Sequence, residues 1–161
     1  MRSGMKAETP PVRLGHELDF LRELWALDHA LQKRSKRMET TIGITGPQRL
    51  ALRLVSRFPG LPAGRLARLL HLHPSTVTGI VKRLVDRGLL SRTSDPPDRR
   101  RTLLRVTPAG TELLALPQAT IESAVKAALS GLSARQLDAA LKALSRIAVS
   151  LEAMDPADRR D

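Results

Sequence analysis

Apolar residues recur along this chain mostly at helical spacing, with one stretch of alternation. Phe20, Leu24, Leu27, Leu31 and Met38 fall 4, 3, 4 and 7 residues apart, and Leu18, Leu21 and Trp25 form a second stripe. Together they predict a helix over 17–38 with an apolar face too wide for a lone surface helix. Gly43 and Gly46 break it. Gly46-Pro47 opens the next helix, with Leu50, Leu54, Val55 and Phe58 as its inner face, and Pro59-Gly60 closes it. Leu61-Pro62 leads into a short helix over 63–70, with Leu66, Leu69 and Leu70 inward, and His71-Leu72-His73 reads as a turn. From Pro74 onward Val77, Ile80, Val81, Leu84 and Val85 stand at i, i+3, i+4, i+7 and i+8, one uninterrupted helical face, and Gly88 stops the helix.

Beyond Gly88 the period changes. Residues 89–93 form a candidate strand, and Thr102, Leu104 and Val106 alternate with Leu103 and Arg105 as a second. Ser94-Asp95-Pro96-Pro97-Asp98 between them is a turn cluster, which predicts a hairpin with Arg99-Arg100-Arg101 at its tip. Thr107-Pro108 starts a helix as cap and first residue, running to residue 129 through Leu113, Leu114, Ile121, Val125 and Leu129 with a kink at Pro117. Gly131 ends it, and Ser133-Ala134-Arg135-Gln136 fits a capping box for a last helix to residue 154, with Leu137, Leu141, Leu144, Ile147, Ala148 and Leu151 on one side. Residues 1–13 read as a loose arm and 155–161 as a polar tail. The expected architecture is mainly α with a small β-hairpin wing.

Charge changes this picture from a helical fold to a helical fold with a polarised middle. The 161 residues carry 27 Lys+Arg against 16 Asp+Glu, a net +11. Residues 46–106 hold 13 of those cations but only Asp86, Asp95 and Asp98, a local +10, so the flanks are nearly neutral. A basic module between neutral helical segments points to a polyanionic partner. The expected division is an arm and helix at 1–45, the basic module at 46–106, and helices with a tail at 107–161. Cysteine is absent, which excludes disulfides and thiolate metal sites and agrees with a reducing cytoplasm. No apolar run approaches a membrane span of ~20 residues, and the first residues lack the apolar core of a signal peptide. There is no Gly-rich phosphate loop and no metal-spaced cluster, and His71 and His73 are read as turn residues, so neither catalysis, a cofactor nor a metal is expected.

Helix, turn, short helix, turn, helix and hairpin is the layout of a winged helix-turn-helix, with the helix from Pro74 in the recognition position. Its outward residues are Ser75, Thr76, Thr78, Gly79, Lys82, Arg83 and Asp86. Small hydroxyls at its N-terminal end let it lie deep in a major groove and bond base edges or phosphates, while Lys82 and Arg83 reach base edges or backbone. The hairpin tip can send an arginine, Arg99 or Arg100, into a minor groove. The leucine stripes of the flanking helices are better explained by burial against a second copy than by a self-contained core. Leu18, Leu21, Leu24, Ile121, Val125, Leu137, Leu141 and Leu144 are the candidate dimer contacts.

Ser75-Thr76-Val77-Thr78, Leu84-Val85-Asp86-Arg87-Gly88-Leu89-Leu90, Asp98-Arg99-Arg100 and Val106-Thr107-Pro108-Ala109-Gly110 together resemble the multiple antibiotic resistance regulator (MarR) family. The motif block covers about 46–112, and the flanking helices fit the family's layout over about 17–153. The resemblance implies a transcription regulator, most simply a homodimeric repressor on a pseudo-palindromic double-stranded operator. It implies that the flanking helices dimerise, that Arg100 enters the minor groove, and that Asp98 orients it without touching DNA. Many relatives bind small aromatic or phenolic acids between the dimer helices and the DNA-binding lobe, for which His16, Trp25, His29, Arg49 and Arg53 are the candidate lining. A winged-helix protein without ligand control, architectural or constitutive, is the alternative. Two positions depart from the family pattern. Gly79 stands where many relatives carry a larger, often basic residue, which shifts readout toward Thr78, Lys82 and Arg83. His73 stands where a serine-type cap is commoner.

Overall fold

The structure, a computed structural model, describes residues 15–94, 102–116 and 120–154. They form two compact units. The first holds α1 (His16–Ile42), α2 (Gly46–Arg57), β1 (Leu61–Pro62), α3 (Ala63–Leu70), α4 (Pro74–Asp86), β2 (Leu90–Ser94), β3 (Thr102–Val106) and α5 (Pro108–Ala115). The second holds α6 (Ile121–Leu129) and α7 (Ala134–Glu152). The fold is mainly helical with a small antiparallel sheet, a winged helix-turn-helix as the spacing predicts.

Local chemistry sets the helix ends. Helix α1 runs on to Ile42 and stops at Gly43, whose φ of 74° is the left-handed cap that glycine adopts without penalty. Thr45 and Gln48 then form a capping box for α2. The Thr45 Oγ1 accepts from the Gln48 amide at 3.4 Å, and the Gln48 Oε1 accepts from the Thr45 amide at 3.1 Å. The Ser35 hydroxyl accepts from the Gly46 amide at 2.8 Å and ties α2 to α1.

The core of the first unit gathers Met38, Ile42 and Ile44 around Ala51, Leu52 and Val55 of α2. Leu66 and Ala67 of α3, Val77, Ile80, Val81 and Leu84 of α4, and Leu89, Leu90, Leu104 and Leu114 complete it. The inner face of α2 differs from the expected one. Leu50 and Phe58 are exposed, Leu54 is half-buried, and Gln48 and Arg49 are buried instead. One residue is 100° of helix rotation, so the face through 48, 52 and 55 leaves Leu50 on the opposite side. On α3 Leu69 is exposed rather than inward, because the buried face centres between Leu66 and Ala67 and Leu69 lies about 100° of rotation away from it.

The sheet has the order β1-β3-β2. The hairpin pairs Leu90 with Val106 through Ser94 with Thr102. The third strand, unforeseen, is the two-residue β1, which pairs Leu61 with Leu104 and is too short to show alternation.

The single kinked helix expected over 107–129 is two helices. Helix α5 ends at Ala115, and Leu116 takes φ −55° and ψ 126°. A residue before proline is driven out of the α region by the proline ring, so the break falls one residue ahead of Pro117. Helix α6 restarts from its own capping box, with the Thr120 hydroxyl accepting from the Ser123 amide at 3.2 Å. Helix α7 begins at the expected Ser133–Gln136 box. No residue of α6 or α7 is buried; Leu141, Leu144, Val149 and Leu151 stand exposed.

Candidate nucleic-acid interface

Helices α3 and α4 are joined by a tight turn. His71 caps α3 in the left-handed region, φ 51°, and its amide bonds to the carbonyls of Ala67 and Arg68. His73 then caps α4 in place of a hydroxyl residue. Its Nδ1 accepts from the Ser75 amide at 3.3 Å and lies 2.6 Å from the Ser75 Oγ. A ring nitrogen thus meets one of the amide donors that a helix start leaves unpaired.

The two faces of α4 are chemically opposite. Val77, Ile80, Val81 and Leu84 are buried, while Ser75, Thr76, Thr78, Gly79, Lys82, Arg83 and Asp86 are exposed. The Thr78 hydroxyl donates back to the Pro74 carbonyl at 2.9 Å, which uses its one hydrogen and leaves the oxygen as an acceptor. The Lys82 Nζ donates to the Asp86 Oδ2 at 2.7 Å. Exposed i,i+4 pairs are worth well under ~1 kcal/mol, so Lys82 can exchange Asp86 for a phosphate at little cost. Among the described residues the Arg83 guanidinium has no side-chain partner.

Both ends of the loop after α4 are pinned. Arg87 donates to the Gly43 carbonyl, joining the end of the recognition helix to the end of α1. The Thr107 hydroxyl donates to the Gly88 carbonyl at 2.6 Å and accepts from the Gly110 amide at 3.1 Å. These contacts fix α4 against its neighbours, a condition for presenting side chains to a groove. Arg87 stands in the motif block without a role that its spacing could reveal, because its acceptor is so distant in the chain.

Every described cation of residues 46–106 is exposed except Arg49. On the wing, Arg92 and Arg105 face solvent; Asp98, Arg99 and Arg100 lie outside the described residues. Arg49 is 2% exposed and donates to the carbonyls of Leu113 and Leu114 at 3.1 and 3.2 Å. Arg53 reaches the Leu114 carbonyl at 3.3 Å. These guanidiniums serve carbonyls at the end of α5, where among the described residues the Leu113 carbonyl otherwise has only a 3.4 Å bond from the Leu116 amide. The other candidate ligand residues, His16, Trp25 and His29, are exposed along α1. Of the candidate dimer residues, Leu18, Leu21, Val125, Leu141 and Leu144 are exposed, and Leu24, Ile121 and Leu137 are half-buried. Among the described residues no group of three His, Asp or Glu could hold a metal, and no helix is long and apolar enough to cross a membrane.

Comparison with known proteins follows the same lines. Residues 42–101 match the family model described as the MarR family. A Thauera aromatica protein, provisionally named as the transcriptional regulatory protein for the hcr operon, is 34% identical over 110 residues, 68% of this chain. The match spans 64% of that relative's length, just under two thirds. A Pseudomonas aeruginosa chain solved as a probable transcriptional regulator is 31% identical, with a TM-score of 0.57 over 84% of this chain and 99% of its own. The PcaV transcriptional regulator of Streptomyces coelicolor, solved with its natural ligand, is 26% identical, with a TM-score of 0.60 over 91% of this chain and 99% of its own. These relatives carry the names of regulators, not of enzymes. With the family's motif block lying on the described helix-turn-helix, the chain belongs to the MarR family.

Proposed function

We propose that the protein is a sequence-specific regulator of transcription that binds double-stranded DNA as a homodimer, acting as a repressor in the cytoplasm. The observation that carries this reading is the division of α4, with four apolar residues sealed into the core and hydroxyl and basic residues presented together. In the major groove, Ser75, Thr76 and Thr78 meet base edges or phosphates near the helix N-terminus, and Lys82 and Arg83 follow a turn later. Arg99 and Arg100 at the wing tip reach the adjacent minor groove, with Asp98 orienting Arg100. A second copy covers the apolar residues of α1, α6 and α7, and its recognition helix meets a second half-site about 34–36 Å away.

Ligand control is the finer part of the proposal. A small anionic acid releases the operator by binding one dimer geometry better than another. Support comes from the ligand-bound Streptomyces coelicolor neighbour and from the cationic side chains along α2. Arg49 and Arg53 already serve the α5 carbonyls, so a ligand there competes with the anchoring of α5.

Selection of random DNA by the purified protein, with and without a panel of aromatic acids, tests the whole reading. The expected result is a pseudo-palindrome bound at least ~10³-fold better than bulk DNA, with affinity falling steeply with salt. Arg100→Ala should lower the slope of log affinity against log salt by about one. Absence of any preferred sequence would leave the architectural alternative; a preferred sequence that no acid releases would leave a constitutive regulator.

A further inference from the structure

Gly79 is the sixth residue of the thirteen-residue α4, and an interior helical glycine is among the least favourable choices for stability. Most other glycines of the first unit have a reason in the fold; Gly64 is helical with open space as Gly79 is, but it is the second residue of α3, in the first turn rather than the interior. Gly43, Gly60 and Gly88 hold φ values of 74°, 81° and 69°, and a Cβ on Gly110 would run into the Leu89 carbonyl. Gly79 has neither reason: its backbone is helical, and a Cβ there would meet nothing within 4 Å. Alanine would fit the isolated protein and strengthen the helix.

The position faces outward at the centre of the recognition surface. Ser75 and Thr76 lie one turn before it, and Lys82 and Arg83 one turn after, all exposed. The bare Cα therefore leaves a notch between hydroxyls on one side and cations on the other. Resting on the DNA-binding reading above, we propose that Gly79 is a specificity-determining position, where the missing side chain lets the helix backbone close on a thymine 5-methyl group. That methyl is the one apolar group projecting from base-pair edges into the major groove. Thr76, Lys82 and Arg83 then fix the register on either side, and the helix reads a base through a side chain it lacks.

The test pairs Gly79→Ala with operators in which single thymines are replaced by deoxyuridine, which removes the 5-methyl alone. Gly79→Ala is expected to raise Tm by about 2–4 °C, so that a binding defect is not a folding defect. It is expected to weaken the selected operator at least ~10-fold. At one thymine per half-site, deoxyuridine should weaken the unmodified protein and restore most of the binding of Gly79→Ala. An unchanged affinity of Gly79→Ala overturns the proposal while leaving selective DNA binding intact, and so does a loss that no deoxyuridine position relieves. Failure of the unmodified protein to prefer any sequence overturns both.

Discussion

Arg49 shows how little charge alone says about where a residue lies. It belongs to the basic segment and was a natural candidate for an anion, yet it lies in phase with Leu52 and Val55 on the buried face of α2. The signal was present in the sequence as an arginine on an apolar stripe. Its acceptors were not, because Leu113 and Leu114 follow more than sixty residues later. Hydrogen bonds to a charged group contribute about 1.5–3 kcal/mol each. Among the described residues, deleting the donor leaves the Leu113 carbonyl only the long bond from the Leu116 amide and the Leu114 carbonyl only Arg53. Arg49→Lys should recover only part of the ~3 kcal/mol that Arg49→Ala is expected to cost in urea unfolding, because a strongly hydrated ammonium on a flexible stem lacks the planar fork of the guanidinium. A loss below about 1 kcal/mol would mean that water serves those carbonyls equally well.

At the scale of elements, legibility followed the strength of the repeat. Helix α4 was readable nearly to the residue because five apolar positions and a terminal glycine agree, and the wing strands because the period changes from about 3.6 to 2. The break between α5 and α6 was not, since apolar residues continue in phase on both sides of Pro117, whereas Leu116 and Thr120 both leave the helical conformation. Likewise the capping box at Thr45 is obscured in the sequence by Gly43 and Gly46 around it, which signal only a break. Thr107 was recognised as a cap, and the structure adds a second duty. Its hydroxyl both starts α5 and donates to Gly88 at the end of the α4 turn. Thr107→Val keeps the shape and removes both bonds, so a loss of about 1–2 kcal/mol is expected in thermal or urea unfolding. A value near that of an ordinary exposed threonine would show that the α4–α5 link is carried by packing around Gly110 alone.

For the whole molecule, the division of charge and the division of burial coincide. The basic segment supplies most of the core, whereas the nearly neutral flanks supply exposed leucines that no described residue covers. Contiguous apolar faces of that kind are rare on monomeric proteins and mark interaction surfaces. The proposed dimer therefore makes a prediction that the chain can report itself, because it contains one tryptophan. Trp25 is 68% exposed on α1, in a stripe with Leu18 and Leu21. If a second copy covers that stripe, Trp25 emission at high protein concentration will be blue-shifted and shielded from iodide. Dilution through the dimer dissociation constant will then shift it to the red and open it to quenching. Leu21→Glu should move that transition to at least ~10-fold higher concentration, since it places a charge in an apolar contact. The winged-helix core should be spared, because Leu21 takes no part in it. Water-like emission at every concentration, alongside a monomeric mass by light scattering, would remove α1 from the interface and the second half-site with it.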